Sequence, residues 1–273
     1  MKTAIPAPSE LFRCWLREAT LQIDVINLDR SKDRLAEFMA TNSHLTDVSR
    51  FPAIDGQTLD ISALVRRGLV SDGILSKDYY SIGAVGAALS HIALWDSAIK
   101  TNKILTIAED DVIFHSRFES HVPEILQTLP SDWDLISWGW NFDLFLCFEM
   151  LAGISIALSQ FEQERLRANI GRFQTQTISP RPFKLHWAFG TPCYSITPKG
   201  ARALKSNCLP LGPTIASFPA AMRVPPHASH FRNVGIDSAM NSAYSKLSAH
   251  VCFPPLVVTK NERSKSTIQE KSP

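Results

Sequence analysis

Three adjacent carboxylates, Glu109, Asp110 and Asp111, interrupt an apolar stretch of the chain. Before them, residues 104–107 have the apolar and β-branched composition of a buried strand, and residues 112–114 resume the apolar run. Carboxylates are poor strand formers and are costly to bury without a partner. Hard divalent cations such as Mg²⁺ or Mn²⁺ prefer carboxylate oxygens and keep open positions for phosphate. The pattern therefore suggests a metal–diphosphate site at the carboxyl end of a strand, with a solvated acidic turn as the alternative.

Two arginines follow the first predicted strand. Residues 21–28 alternate partly between apolar and polar types, and residues 29–34 lead through a polar turn into a helical pattern. A strand, a polar turn and a helix in this order open many nucleotide-binding βα units, although the chain lacks the GxGxxG pattern of dinucleotide-binding proteins. Arg30 and Arg34 lie one helical turn apart and could bind phosphates, and ordinary surface charge at this spacing is an equally open interpretation.

A glycine-rich helix is predicted over residues 81–95. Its apolar residues recur at helical spacing, and Gly83, Gly86, Ala87 and Ser90 form an adjacent stripe of small side chains. Glycine weakens a helix, so two glycines within one turn predict close approach of another backbone or of a ligand. Ser90 and His91 are sequence neighbours and would point about 100° apart on a helix. We therefore reject a Ser–His catalytic dyad and expect polar contacts to a ligand or to the end of the sheet.

One later acidic residue has two open interpretations. Asp237 follows Gly235 and stands at the start of a helical pattern. It is either the N-cap of that helix or a catalytic acid or base.

The segment 142–182 is the least predictable part of the chain. Residues 160–173 can form an amphipathic helix that carries three arginines. An acceptor-binding lid, a membrane-facing helix and a plain insertion all remain open.

Composition limits the class of protein. The 273 residues include 45% hydrophobic and 20% charged residues, which is ordinary for a globular α/β protein, and the net charge of +2 argues against nucleic acid as the main partner. The first residues lack the pattern of a secretory signal, and the five cysteines are scattered without metal-ligand spacing. We expect free thiols in a reducing, cytoplasmic compartment, at most peripheral membrane contact, and three parts: a leader at 1–18, a domain at 19–258 and a disordered tail at 259–273.

Four segments in order resemble glycosyltransferase family 25, the lipooligosaccharide and lipopolysaccharide galactosyltransferase group. They are the strand and turn at 25–34, the Gly-x-x-Gly-x-x-x-Ser-His segment at 83–95, the Glu-Asp-Asp motif at 108–112, and the strand–helix segment at 190–201. The chain departs from the family at Ala84, where the family often has an acidic residue.

The resemblance implies a single GT-A-like, Rossmann-like α/β domain with a mostly parallel central sheet flanked by helices. It also implies a UDP-sugar donor, often UDP-galactose, a divalent Mn²⁺ or Mg²⁺ ion, an inverting transfer and a glycan or glycolipid acceptor. The roles that it implies are metal ligation by Asp111 and Glu109, nucleotide or donor binding by Asn27, Arg30, Arg34, Ser90, His91 and Asp110, and deprotonation of the acceptor by Asp237.

Two other functions are weighed against this one. A catalytically silent GT-A-like module would bind a glycan or a partner protein without turning over a donor. A metal-dependent phosphoesterase would release free phosphate, and more clustered His and Asp residues would be expected for it.

Overall fold

The computed structural model describes residues 21–76, 79–217 and 230–261. The predicted leader at 1–18 and most of the predicted tail, from residue 262 onward, lie outside the described residues. Within the described part, helices are interspersed with strands, which confirms the α/β class.

The first half of the chain builds one side of the sheet and the acidic turn. Its elements are β1 (Ile23–Asn27), α1 (Lys32–Thr41), β2 (Val48–Pro52), a 3₁₀ turn (Gly56–Thr58), α2 (Ile61–Arg66), α3 (Ile82–Thr101), β3 (Leu105–Glu109), β4 (Val112–Phe114) and α4 (Phe118–Leu126).

The second half adds the remaining strands of the central sheet, two helices that cover it, two short helices and three short strands that lie outside that sheet. Its elements are β5 (Leu135–Ser137), β6 (Phe145–Leu151), β7 (Ser155–Gln160), α5 (Gln163–Ala168), α6 (Ile170–Thr175), β8 (Arg181–Trp187), β9 (Cys193–Ile196), α7 (Pro198–Cys208), β10 (Ile215–Ser217), β11 (His230–Arg232), α8 (Ile236–Tyr244), β12 (Ala249–Phe253) and β13 (Val257–Thr259).

The central sheet has nine strands in the order β2-β1-β3-β9-β5-β12-β8-β6-β7. The expectation of a mostly parallel sheet is wrong. Among the described strands, three pairings are parallel and five are antiparallel. The reason is connectivity, because β9 inserts between β3 and β5 in the opposite direction and β6 and β7 form a hairpin. Strand β8 also runs antiparallel to both of its neighbours, β12 and β6. The segment 142–182 thus extends the sheet with β6 and β7, and the single helix predicted at 160–173 is two short helices.

Helices cover both faces of the sheet. One apolar cluster packs α3, α7 and α8 against one face, and a second cluster packs α1 and α4 against the other. Alternate residues of a strand serve opposite faces, so Val25 belongs to the second cluster and Ile26 to the first. The four cysteines in the described part of the chain are buried free thiols.

Helix α3 is the central support of the site. The Ser81 side chain caps it by accepting a hydrogen bond from the Ala84 amide at 3.1 Å, and Asn102 ends it in the left-handed conformation with φ 53°. By length and composition this helix could cross a membrane, but 61% of its apolar window is buried inside the fold, as in the core helix of a globular domain. The predicted core positions Val85 and Leu89 are indeed buried.

The small-residue stripe of α3 receives another backbone, as predicted. A Cβ atom on Gly86 would lie 2.6 Å from the Gly56 amide nitrogen and 2.6 Å from the Ile54 carbonyl oxygen. Ser90 completes the contact, since its Oγ accepts a hydrogen bond from the Ile54 amide at 2.8 Å and donates one to the Gly86 carbonyl at 2.8 Å. The loop at 53–57 is therefore fastened to α3 through contacts that only glycine permits at position 86.

Candidate active site

The acidic triplet occupies the carboxyl end of a central strand, as the sequence predicts. Glu109 is the last residue of β3, and Asp110 and Asp111 form the turn into β4. Strands β1 and β3 are parallel neighbours with Ile26 opposite Glu109. The parallel register brings Asn27, the next residue of β1, beside Asp110, and its Nδ2 donates a hydrogen bond to Asp110 Oδ2 at 2.6 Å.

Asp110 is the anchored member of the triplet. Its Oδ1 accepts a hydrogen bond from Arg34 Nε at 2.9 Å and pairs closely with Arg34 Nη2 as well. The side chain of Asp110 is only 9% exposed. Asn27 is held in turn by Arg50, whose Nε donates to Asn27 Oδ1 at 3.0 Å. Two predicted residues, Asn27 and Arg34, therefore compensate the charge of Asp110 and fix the shape of the turn.

Glu109 faces a different set of partners. Its Oε1 accepts a hydrogen bond from Thr191 Oγ1 at 2.6 Å and lies 3.9 Å from His91 Nε2. Burial, followed by the nearby charge of Asp111, raises the pKa of Glu109 above its ordinary range, and Asp110 and Asp237 add to the shift. Burial lowers the pKa of His91 to about 4, so its ring is neutral near pH 7 and does not compensate the Glu109 charge.

The carboxylate oxygens of Glu109 and Asp111 are suitable ligands for a divalent cation. Asp111 Oδ2 lies 3.6 Å from Arg34 Nη2, and 41% of the Asp111 side chain is exposed. Mg²⁺ is often bound by one or two carboxylates together with phosphate oxygens, and a cation would relieve the repulsion that raises the Glu109 pKa. Within residues 21–76, 79–217 and 230–261, no three His, Cys, Asp or Glu side chains are grouped as a complete metal site. Any ion here would therefore need further oxygens, and the metal ligands stay a prediction.

A cavity of about 300 Å³ opens beside the triplet. It lies between the end of β1, the loop at 53–57, the first turn of α3 and the acidic turn. Its described lining is Ile26, Leu28, Arg30, Arg34, Ala53, Ile54, Asp55, Gly56, Gln57, Ser81, Ile82, Gly83, Ala87, His91, Glu109 and Asp110. This donor-side cavity combines cationic side chains with the amino end of a long helix, which is a favourable place for an anion.

The predicted binding residues differ in whether they line the donor-side cavity. Arg34, His91 and Asp110 line it, and Arg30 lines it while pairing with Asp55. Ser90 is fully buried outside the lining, so it supports the 53–57 loop rather than facing the cavity. Its hydrogen bonds to Ile54 and Gly86 give Ser90 a positioning role, and its part in donor binding stays a prediction.

Asp111 lines a smaller recess on the other side of Arg34. This recess measures about 50 Å³ and also contains Asp110 and Lys260. Asp110 and Arg34 line both openings, whereas Asp111 lines the smaller recess and Glu109 lines the donor-side cavity.

Asp237 lies in the first turn of α8 and is not its N-cap, which is Gly235. Its Oδ2 accepts a hydrogen bond from the Gly190 amide at 2.8 Å, and its Oδ1 accepts one from the Ser238 amide at 2.7 Å. Gly190 needs glycine because its φ is +79° and a Cβ atom there would overlap the Asn141 side chain. The neighbouring residue Thr191 holds Glu109, so one short segment positions both acids.

Several residues of the site escaped sequence reasoning. Arg50 supports Asn27 from β2, and Tyr194 accepts a hydrogen bond from Trp95 Nε1 at 2.8 Å and lies 2.9 Å from His91 Nδ1. Thr191, which is 82 residues from Glu109 in sequence, donates a hydrogen bond to it. No local pattern marks these residues, because each acts across a strand pairing or a helix–sheet contact.

Comparison with known proteins agrees with the geometry. The sequence model of glycosyltransferase family 25, which is described as an LPS biosynthesis protein family, matches residues 20–213 of this chain.

The chain belongs to glycosyltransferase family 25. Two curated relatives named "Glycosyltransferase 25 family member" are similar to parts of it. The relative from Aedes aegypti is 30% identical over 125 residues, which cover 43% of this chain and 21% of the relative. The relative from Anopheles gambiae is 29% identical over 126 residues, with the same coverage of 43% and 21%. The match thus spans about a fifth of the length of these relatives. The family match includes the acidic triplet and the donor-side cavity but not Asp237, whose role rests on its position alone.

Proposed function

We propose that this family 25 chain transfers a sugar, with galactose as the first candidate, from a UDP-sugar to a cell-envelope glycan such as lipooligosaccharide or lipopolysaccharide. The observation that carries the proposal is the donor-side cavity, whose lining combines Arg30 and Arg34 with Glu109 and Asp110 at the end of β3. Cationic and acidic side chains in one lining suit a diphosphate and the cation that accompanies it. We also propose that the enzyme acts in the cytoplasm, where a nucleotide donor would be available, with at most peripheral contact with the membrane.

Each side of the cavity has a separate task in this proposal. The amino end of α3 and the two arginines bind the diphosphate, and the apolar side chains of Ile26, Leu28 and Ile82 contact the nucleoside. Glu109 and Asp111 would hold Mn²⁺ or Mg²⁺ together with the phosphate oxygens. The ion, when bound, neutralises the charge that develops on the leaving diphosphate.

Asp237 acts on the acceptor. The bond between the acceptor oxygen and the sugar C1 forms as the bond from C1 to the diphosphate oxygen breaks, so the configuration at C1 inverts. The acceptor proton passes to Asp237. The Gly190 and Ser238 amides fix the orientation of this carboxylate and leave each oxygen a further lone pair for that proton.

The test is release of nucleoside diphosphate from a panel of sugar nucleotides, with and without Mn²⁺. Asp111→Asn is compared with Asp72→Asn, which changes an exposed turn residue outside the site. We expect release from one donor, dependent on Mn²⁺, lost in Asp111→Asn by about a hundredfold or more and kept in the control.

The alternatives predict other products. Free phosphate in place of a nucleoside diphosphate would indicate a phosphoesterase. Absence of both turnover and Mn²⁺-dependent nucleotide binding would refute the transferase proposal and favour a silent binding module.

A further inference from the structure

A second, larger cavity lies beside α8, the helix that carries Asp237. It measures about 530 Å³ and opens between α7, α8 and the end of β8. It shares no described lining residue with the donor-side cavity. Its described lining is His186, Trp187, Asn207, Cys208, Pro210, Gly212, Thr214, Asn233, Ser238, Ala239, Asn241, Ser242 and Ser245.

The lining of this second cavity mixes apolar surface with uncharged polar groups. Seven of its thirteen described residues carry an amide or a hydroxyl side chain, and no Asp, Glu, Lys or Arg belongs to the described lining. His186 at its edge is engaged, with Nε2 lying 3.1 Å from Glu149 Oε1. Trp187 adds a large aromatic surface. The amides of Asn207 and Asn233 are already hydrogen-bonded inside the protein. The hydroxyls, the indole and the remaining amide, that of Asn241, suit a neutral ligand with many hydroxyl groups.

Asn241 supplies a second, independent observation. Its side chain is 2% exposed, and its Oδ1 accepts a hydrogen bond from the Ala188 amide at 3.0 Å. Its Nδ2 has no acceptor within the described part of the chain. A buried donor without a partner costs about 1 to 3 kcal/mol, so such a group in a native cavity calls for an acceptor from outside the chain. A sugar hydroxyl or ring oxygen is such an acceptor.

The helix geometry connects this cavity to the proposed base. Asp237 and Asn241 are four residues apart on α8, so they lie on the same side of the helix one turn from each other. Ser238, Ser242 and Ser245 also line the cavity and form the neighbouring stripe of the same helix. Asp237 itself is not among the lining residues, and a ligand hydrogen-bonded to Asn241 would bind one helical turn away from it.

We propose that the second cavity binds a neutral pyranose unit of the acceptor glycan, with Asn241 as a hydrogen-bond donor to it. The inference rests on the proposed transferase function and names the acceptor-side binding site of that reaction. The bound unit is the one that carries the attacking hydroxyl or its neighbour in the glycan. Its neutrality follows from the lack of charged residues in the described lining.

The test measures sugar binding without any donor. Saturation-transfer NMR is recorded on the full chain with methyl β-galactopyranoside, methyl β-glucopyranoside and the methyl β-glycoside of N-acetylglucosamine. Ser242→Phe fills the mouth of the cavity from an exposed position. Ser120→Phe is the matched control, because both serines are exposed on helices and donate to the carbonyl three residues earlier, at 2.6 Å for Ser242 and 2.9 Å for Ser120.

We expect at least one glycoside to bind the unmodified chain, with affinity reduced about tenfold or more in Ser242→Phe and unchanged in Ser120→Phe. Asn241→Asp keeps the acceptor for the Ala188 amide and removes the Nδ2 donor, and it should weaken the same glycoside about tenfold.

Failure of the inference is separable from failure of the proposed function. No binding of any glycoside, or equal binding by Ser242→Phe and the control, would overturn the acceptor site, even with nucleoside diphosphate release intact. If the unmodified chain released no nucleoside diphosphate from any donor but bound a glycoside that Ser242→Phe weakened, the transfer reaction would be refuted and a sugar-binding site would remain.

Discussion

Replacing Gly86 by alanine should destabilise the protein, although alanine is the better helix former. The new Cβ atom would lie 2.6 Å from two backbone atoms of the 53–57 loop and 3.0 Å from Gly56 Cα. These neighbours are main chain and cannot rotate away, so the loop or the helix must shift. Overpacking of this kind costs about 1 to 3 kcal/mol, and the upper end applies because the contacts are with backbone.

The net effect follows from two opposing contributions. Alanine in place of glycine gains about 1 kcal/mol of helix propensity, which offsets part of the steric cost. We therefore expect Gly86→Ala to lower the free energy of unfolding by about 2 kcal/mol, equivalent to a fall in Tm of about 4 to 8 °C. The shifted loop lines the donor-side cavity, so nucleotide affinity should fall as well.

The matched control is Gly171→Ala in α6. No heavy atom lies within 4 Å of the Cβ that this substitution would add. It should stabilise the protein by about 0.5 to 1 kcal/mol and leave nucleotide binding unchanged. Urea unfolding gives the free energies, and titration calorimetry gives the nucleotide affinity. Equal stability of Gly86→Ala and Gly171→Ala would refute the idea that backbone contact selects glycine at position 86.

Three further predictions concern the polar network. Arg34→Gln should lower the free energy of unfolding by about 2 to 3 kcal/mol, which is less than for a fully buried ion pair because 23% of the Arg34 side chain is exposed. In a double-mutant cycle measured by urea unfolding, adding Asp110→Asn should recover part of this loss. Folding lowers the pKa of His91 to about 4, so as the pH falls the imidazole is protonated in the unfolded chain before it is protonated in the folded one. The free energy of unfolding should therefore decline by up to about 3 kcal/mol between pH 6.5 and 4. Urea titrations at each pH should show a shallower decline for His91→Gln. Tyr194→Phe removes the acceptor of the buried Trp95 indole N–H and should cost about 1 to 3 kcal/mol by thermal or urea unfolding, whereas no change would show that another acceptor replaces the hydroxyl.

Much of the site was predictable because its signals are local. A strand ending in Glu109, a polar turn after β1 and a small-residue stripe on α3 each follow from residue type and periodicity over a few positions. The family resemblance added which of these segments belong to one site. Parallel pairing of β1 with β3 then brings Asn27 and Asp110 together, as an α/β arrangement requires.

Local signals failed where one residue has several possible partners. Ser90 has the same type and spacing whether it faces a ligand or a loop, and only the packing of residues 53–57 on α3 decides that it holds the loop. Asp237 could be an N-cap by pattern, but Gly235 is the N-cap, and the Asp237 carboxylate accepts a hydrogen bond from the Gly190 amide of another segment.

The sequence by itself determined the α/β class, the acidic strand end, the close approach at the glycines of α3 and the family, because each depends on residue types within short segments of the chain. Tertiary structure alone decided the strand directions, the division of labour between Asp110 and Glu109, and the second cavity with the Asn241 donor. These features depend on contacts between residues far apart in sequence, such as Asn241 with Ala188 and Glu109 with Thr191. Periodicity carries no information about such pairs, because burial and pairing are settled only when the whole sheet and its helices pack together.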